Sequence, residues 1–161
     1  MEQILQLDLQ AQSGTPSVAK LGDRGERLAA DFLTAQGYRI VFTNFKVPIG
    51  RNSKGVARSG EIDIVALDGE TLCFIEVKTR RSEDFAPAIT SVDVRKRIQI
   101  TRTARMYRAI FNITDTASRF DVVTVLMPKH AEVSIDLKKG FWSEQTLRAG
   151  VRRVGRDDIP F

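Results

Sequence analysis

Hydrophobic residues recur along the chain with two different spacings, and these spacings predict its helices and strands. Leucine, phenylalanine and alanine residues recur at helical spacing over 22–36. Gly37 follows this segment, and glycine commonly ends a helix. A second apolar stripe with helical spacing predicts a helix over about 91–111. The polar, Arg-rich segment from about 143 is predicted to be a tail or a short helix around 144–149.

Segments rich in β-branched and aromatic residues lie between the helices and predict strands. The run at 119–126 is almost continuously apolar, which is typical of a buried strand. The segment 46–60 is rich in glycine and basic residues and contains no acid, so it is predicted to be a long loop. The predicted strands are 38–45, 61–67, 71–79, 119–126 and 133–137.

The order of these elements is α-β-β-β-α-β, with one further edge strand. A helix between the strands at 71–79 and 119–126 allows a parallel crossover between them. The sequence therefore predicts an α/β fold with a central mixed sheet flanked by helices. The sequence predicts a flexible leader (1–20), one nuclease-like domain (21–142) and a C-terminal tail (143–161).

Composition narrows the chemistry that this domain can perform. The 161 residues carry 25 Lys and Arg against 20 Asp and Glu, with a single cysteine and a single histidine. These counts exclude a disulfide scaffold and leave little room for histidine catalysis. No apolar run is long enough to span a membrane and no secretory signal is visible, so a cytoplasmic location is the expectation.

Two acids and a lysine interrupt the most apolar strands. Asp63 lies between two isoleucines, Glu76 lies between Ile75 and Val77, and Lys78 follows two residues later. Residues i and i+2 of a strand share one face, so Glu76 and Lys78 point to the same side.

The turn at Asp68-Gly69 decides whether Asp63 joins these two residues. A two-residue loop makes Glu76 the diagonal neighbour of Asp63, and a four-residue loop places Asp63 directly opposite Glu76. Either loop brings the two carboxylates and the ammonium together. A three-residue loop would move Asp63 to the other face and remove the site.

Paired carboxylates on a buried face repel each other unless a cation compensates them. Mg²⁺ prefers oxygen ligands and commonly binds through one or two carboxylates. A lysine beside such an ion could orient the attacking water or stabilise phosphate charge, which favours metal-assisted phosphodiester hydrolysis. Glycoside hydrolysis also uses two carboxylates, but it leaves Lys78 unexplained. The alternative without function is a solvated sheet face with a cross-strand salt bridge.

Four motifs in this order resemble a known family. Residues 60–65 (GEIDIV) and 74–80 (FIEVKTR) resemble the core of the restriction-endonuclease-like, or PD-(D/E)xK, superfamily. Together with 25–30 (GERLAA) and 119–123 (RFDVV), they most resemble the YraN family of bacterial proteins, which is similar to archaeal Holliday junction resolvases. The resemblance covers about residues 20–127. The proline of the superfamily motif is replaced by isoleucine, and the 46–60 segment is longer than usual.

The resemblance implies a role for each of four residues. Asp63 and Glu76 would bind Mg²⁺ or Mn²⁺, Lys78 would be the catalytic lysine, and Glu26 would add a third carboxylate to the metal. Taken alone, Glu26 is only an acid near a helix N-terminus, where the helix dipole favours it. Resolvases of this kind act as two-fold dimers, so the resemblance also raises a homodimer as an expectation.

Basic residues flank the carboxylate strands in three segments, within 46–60, at the end of the 71–79 strand, and on the second helix. Such residues can neutralise phosphates with little dependence on sequence, although one Arg-rich helix can equally be a solvated surface. The predicted nucleic-acid-binding residues are Arg58, Arg80, Arg81, Arg95, Lys96, Arg102 and Arg105.

The function predicted from the sequence is a metal-dependent nuclease acting on DNA, and the resolvase resemblance implies branched or structure-specific substrates. Whether it would be an endonuclease or an exonuclease is left open. The alternative is a non-catalytic nucleic-acid-binding or accessory module on a nuclease fold. The clustering of carboxylates speaks against a pure binder, since acids near phosphates weaken binding.

Overall fold

The computed structural model describes residues 18–82 and 92–153, and it contains three helices and five strands in these ranges. Their order matches the predicted one. The elements are α1 (Val18–Ala35), β1 (Arg39–Arg51), β2 (Ala57–Asp68), β3 (Thr71–Arg80), α2 (Val94–Ile110), β4 (Ser118–Leu126), β5 (Ser134–Trp142) and α3 (Glu144–Arg153).

The five strands form one mixed sheet in the order β1-β2-β3-β4-β5. Only the neighbouring strands β3 and β4 are parallel. The chain between them forms α2, which returns to the starting end of β3 so that β4 can run in the same direction. The other neighbouring pairs are antiparallel. The predicted α/β fold with a central mixed sheet flanked by helices is therefore confirmed.

Two hydrophobic cores cover the two faces of the sheet. Ala29 and Leu33 of α1 pack on the side to which Ile64 and Ile75 point. The α2 side holds Phe74 and a set of aromatic rings around Tyr107. Strands β3 and β4 are buried on both faces, which explains their continuous apolar sequences.

The prediction of a long loop over 46–60 was wrong, because this segment extends the β1–β2 hairpin. Lys46 pairs with Glu61 and Arg51 pairs with Ala57. At the tip, the side-chain oxygen of Asn52 accepts hydrogen bonds from the backbone N–H groups of Lys54 and Val56. Most side chains here are exposed, so backbone pairing holds the hairpin and the sequence lacks the apolar alternation of a half-buried strand.

The β2–β3 turn lies one residue later than the Asp68-Gly69 pair suggested. Asp68 pairs with Thr71, so the turn consists of Gly69 and Glu70, with Gly69 at a φ of 60°. This positive φ explains the glycine. Leu67 lies opposite Leu72, which is the pairing that the four-residue alternative required.

The remaining predicted elements are present with shifted ends. The first helix begins at Val18 rather than at 22 and still ends before Gly37, whose φ is 89°. The edge strand is longer than predicted and reaches Trp142. Residues 1–17, 83–91 and 154–161 lie outside the described residues, so most of the predicted leader and the end of the tail go undescribed.

None of the helices in the described part of the chain combines the length and apolar character needed to cross a membrane. The predicted tail contains α3, whose Leu147 packs against the core on the α2 side. The division into leader, domain and tail stays a prediction.

Candidate functional site

The site begins where β2 separates from β3. Pairing of these strands stops at Ile64 and Ile75. Ile62 packs into the core on the α2 side, whereas Ile64 packs on the α1 side, so β2 changes face at Asp63. Instead of continuing the ladder, the Asp63 carboxylate accepts a hydrogen bond of 2.7 Å from the backbone N–H of Val77. Asp63 therefore lies at the point of separation, beside Glu76.

Glu76 is buried, and two lysines contact one of its oxygens. The Glu76 Oε1 atom lies 2.6 Å from the Lys78 ammonium and 3.3 Å from the Lys96 ammonium, which α2 supplies. The other oxygen, Oε2, is buried and has no hydrogen-bond partner. A buried carboxylate oxygen without a partner is costly, so Oε2 marks a position that is suited to a further ligand.

The charges at the site are only partly compensated. Burial, and after it repulsion from Glu76, raises the pKa of Asp63 to about 7, although the hydrogen bond from the Val77 N–H and the charge of Lys96 lower it. Near neutral pH, Asp63 is therefore partly protonated, and a cation that binds there would displace this proton. This result supports the predicted proximity of the two carboxylates.

Glu26 reaches the same region from α1. Burial raises its pKa most, a hydrogen bond with the Asn44 side chain lowers it, and repulsion from Asp23, Glu61 and Glu76 raises it. Gly25, the residue before Glu26, allows α1 to approach β3 closely. A Cβ atom at Gly25 would lie 1.8 Å from Thr79 Oγ1, so only glycine permits this contact.

Within the described ranges, no three Asp, Glu, His or Cys side chains stand close enough together to form a metal-binding group. The three-carboxylate set implied by the family resemblance is thus not assembled, and the role of Glu26 stays a prediction. Asp63 and Glu76 fit a hard cation as a pair, because Mg²⁺ keeps several waters when one or two carboxylates bind it. The partnerless Oε2 of Glu76 is the observation that favours this fit.

Four of the seven predicted nucleic-acid-binding residues line one pocket. This cavity of about 350 Å³ lies between the β1–β2 hairpin and α2. It has four cations and one carboxylate, that of Asp93, which accepts a hydrogen bond from the Lys96 backbone N–H as the N-cap of α2. We name it the hairpin pocket, and its lining residues are Ile49, Arg58, Ser59, Asp93, Arg95, Lys96, Gln99 and Arg102.

The other three predicted basic residues lie elsewhere. Arg80 and Arg81 follow Lys78 at the end of β3, and Arg80 donates a hydrogen bond to the carbonyl oxygen of Thr79. Arg105 forms an ion pair of 2.5 Å with Glu144 at the start of α3. Arg105 therefore joins two helices in this structure, which is a structural role that the sequence did not indicate.

Two contacts at the site were not predicted. Lys96 was predicted only to bind nucleic acid, yet it also pairs with Glu76. Gly60 was recognised as part of a motif without a reason, and the reason is steric: a Cβ there would lie 1.9 Å from Thr103 Oγ1 on α2. Both contacts depend on how α2 packs against the hairpin, for which the sequence contains no local signal.

A second polar cluster lies near the β2–β3 turn and was also missed. Arg119 donates hydrogen bonds to the carboxylates of Asp121 and Asp68 and to the Tyr38 hydroxyl. Asp121 is fully buried and also accepts a hydrogen bond from the Gly140 N–H. We call this group, with Lys139 on Asp68, the turn-end cluster. The resemblance had indicated the motif around Arg119 but assigned it no role.

Fold and site together define an α/β protein with a pair of buried carboxylates beside two lysines. The profile of the family described as "Uncharacterised protein family UPF0102" matches residues 25–125, which is more than half of the chain. The protein belongs to this family, so the predicted resemblance to the YraN family is confirmed.

Relatives of the same family come from diverse bacteria. A UPF0102 protein of Chlorobium limicola is 42% identical over 106 residues, which cover 66% of this chain and 74% of the relative. One from Koribacter versatilis is 40% identical over 126 residues, covering 78% of this chain and 82% of the relative. One from Chlorobaculum parvum is 45% identical over 115 residues, covering 71% and 81%.

The solved structure of SSO0001 superposes on this protein with a TM-score of 0.42 and 18% sequence identity. The superposition covers 91% of this chain and 64% of that one, so this chain spans less than two thirds of the length of SSO0001.

Proposed function

We propose that this protein is a metal-dependent nuclease that hydrolyses phosphodiester bonds in DNA, with Mg²⁺ or Mn²⁺ as its cofactor. The observation that carries this proposal is the buried pair of Asp63 and Glu76, whose Oε2 oxygen has no partner. A structural salt bridge would satisfy both acids, whereas a cation-binding pair leaves oxygens available.

The residues of the chain divide the work in a way that suits phosphate chemistry. Asp63 and Glu76 would hold the ion, which when bound supplies an activated water and screens phosphate charge. Glu76 Oε1 holds the ammonium of Lys78 at 2.6 Å, which fixes its direction beside the carboxylates. Lys78 can then stabilise negative charge on the phosphate or orient the attacking water.

Charge on the neighbouring surface supports a polyanionic substrate. Arg58, Arg95 and Arg102 border the pocket next to Lys96, and Lys96 contacts Glu76. These cations would offset the repulsion between the carboxylates and the phosphates of the substrate. A preference for branched DNA and action as a homodimer rest on the family resemblance and remain proposals.

Cleavage of a panel of labelled substrates tests the nuclease proposal. The panel holds single-stranded, duplex, flap, fork and four-way junction DNA, each with Mg²⁺, Mn²⁺ or EDTA. We expect cutting that depends on metal and is lost in Asp63→Ala and Lys78→Ala. The matched control is Asp115→Ala, because Asp115 is an exposed acid outside the site.

The outcomes separate an enzyme from a binding module. Cutting that persists in Asp63→Ala and Lys78→Ala would come from another site or a contaminant. DNA binding in all variants without any cleavage would overturn the nuclease proposal and favour a non-catalytic module on this fold.

A further inference from the structure

The hairpin pocket combines positive charge with walls that the fold holds in place. Arg58 on β2 and Arg95 on α2 face the same cavity from opposite sides. In the described residues, neither of these two arginines forms a salt bridge with an acid. The only carboxylate of the pocket belongs to Asp93, which caps α2. The pocket therefore carries a surplus of positive charge that suits an anion.

Two contacts hold the hairpin against α2. The Gln99 side-chain amide donates a hydrogen bond of 3.2 Å to the carbonyl oxygen of Ser59. Directly beside it, Gly60 lies so close to Thr103 that a Cβ would leave only 1.9 Å to the hydroxyl. The walls are thus set by packing, and a volume of about 350 Å³ lies within the range of small-molecule sites.

Lys96 connects this pocket to the carboxylates. Its side chain lines the cavity and its ammonium lies 3.3 Å from Glu76 Oε1. A strand whose phosphate is held by Arg58 and Arg95 would therefore pass Lys96 before it reaches Asp63. Arginine suits this task because its planar guanidinium binds phosphate through two parallel hydrogen bonds.

We infer that the hairpin pocket is a subsite for a backbone phosphate of one nucleic-acid strand, next to the phosphate that is cut. This inference rests on the proposed nuclease function and adds to it the position where the extended hairpin binds the substrate strand. The hairpin is then the structural element that sets where the strand lies relative to Asp63 and Glu76.

Binding in EDTA tests the subsite without requiring cleavage. A short fluorescein-labelled single-stranded DNA is titrated with protein, and anisotropy is read at several salt concentrations. We expect the double variant Arg58→Ala/Arg95→Ala to raise Kd at least about tenfold and to lower the salt slope by about 0.7, since both arginines contact one phosphate and single strands lose about 0.7 per phosphate neutralised.

The matched control removes two positive charges elsewhere, with Arg39→Ala/Lys129→Ala. Arg39 lies at the other end of β1, opposite Leu67, and Lys129 is exposed after β4. We expect this control to bind nearly as wild type does. Equal losses in the two double variants would mean that only net charge matters, and this would overturn the subsite.

Chemical shifts locate the bound phosphate. Isotope-labelled protein is titrated with the dinucleotide TpT, which carries one bridging phosphate. We expect the largest amide shifts at Ser59, Arg95 and Gln99, and shifts confined to other regions would overturn the inference. Asp63→Ala should keep these shifts. A protein that shows them yet cuts no DNA would retain the subsite and lose the nuclease function.

Discussion

The two polar clusters of this protein lie on the same sheet, but their charged groups differ greatly in how far hydrogen-bond and ion-pair partners compensate them. In the turn-end cluster, Arg119 bonds both Asp68 and Asp121, and the pKa of Asp68 falls to about 2 because Arg119 and Lys139 bond to it. At the carboxylate site, burial and Glu76 raise the pKa of Asp63 to about 7. The first cluster is complete without a ligand, whereas the second is not.

This difference distinguishes the two clusters better than residue type does. Both clusters consist of buried aspartate next to cations on apolar strands. Only the site has a buried carboxylate oxygen without a partner, Glu76 Oε2. Polar groups that lower stability are retained where function needs them, so the unfavourable cluster is the better candidate for chemistry.

The largest effect is expected from making the same isosteric change in both clusters. Asp121→Asn leaves Arg119 without its buried counter-charge and should lower the free energy of unfolding by about 3 kcal/mol. Asp63→Asn keeps an acceptor for the Val77 N–H and removes the repulsion with Glu76, so stability should be unchanged or higher at pH 8. Urea unfolding of both variants measures the difference. Similar losses in both would mean that Asp63 is a structural residue.

A pH series should show opposite slopes from the two clusters. The folded-state pKa of Asp63 is raised, so the unfolded chain releases this proton first, and stability falls as pH rises from about 4 to about 7. The loss is on the order of 4 kcal/mol for a shift of this size. Asp68 has a lowered pKa and stabilises the fold above about pH 4, a contribution that is lost as pH falls toward 2.

Chemical denaturation at each pH, for wild type and Asp63→Asn, isolates the first slope. The difference in unfolding free energy between the two proteins should grow from pH 4 to pH 7 and then level off. A difference that stays constant with pH would show that the Asp63 carboxyl group is already ionised at low pH. Asp68→Asn provides the same comparison for the turn-end cluster at low pH.

Sequence reasoning succeeded where apolar packing defines the element. Strands β2 and β3 alternate or run apolar around Asp63 and Glu76, so both the strands and the proximity of the two acids could be predicted. It failed over 46–60, because backbone hydrogen bonds hold that part of the hairpin and leave no periodic side-chain signal.

Contacts between distant segments also could not be predicted from the sequence. The pairing of Lys96 with Glu76 depends on the position of α2, and the pairing of Arg119 with Asp68 joins residues 51 positions apart. For two glycines the sequence contained a partial indication. Gly25 and Gly60 begin two of the motifs, yet only the neighbouring Thr79 and Thr103 explain them.

Adding Mg²⁺ should stabilise the site and leave the turn-end cluster unaffected. At ten times its Kd, an ion that binds only the folded state adds about 1.4 kcal/mol, which corresponds to about 3–5 °C in Tm for a chain of this size. The shift should be larger at pH 8 than at pH 5, because the ion must displace the proton of Asp63. Scanning fluorimetry measures it.

Asp63→Asn and Asp121→Asn form the matched pair for this measurement. We expect Asp63→Asn to lose the increase in Tm on adding Mg²⁺. Asp121→Asn should keep this increase, although its Tm without Mg²⁺ is lower. A shift that survives in Asp63→Asn would place the ion elsewhere on the protein.

The smallest effect is expected from Lys139, the exposed member of the turn-end cluster. Its ammonium lies 2.9 Å from Asp68 Oδ2 and 5.2 Å from the centre of the Tyr38 ring, but about half of the side chain is exposed. Lys139→Ala should therefore cost less than about 1 kcal/mol, because water screens exposed pairs and Arg119 still bonds Asp68. The urea midpoint measures this cost. A loss as large as that of Asp121→Asn would show that the cluster acts as one cooperative network, in which the exposed ammonium is as important as the buried carboxylate.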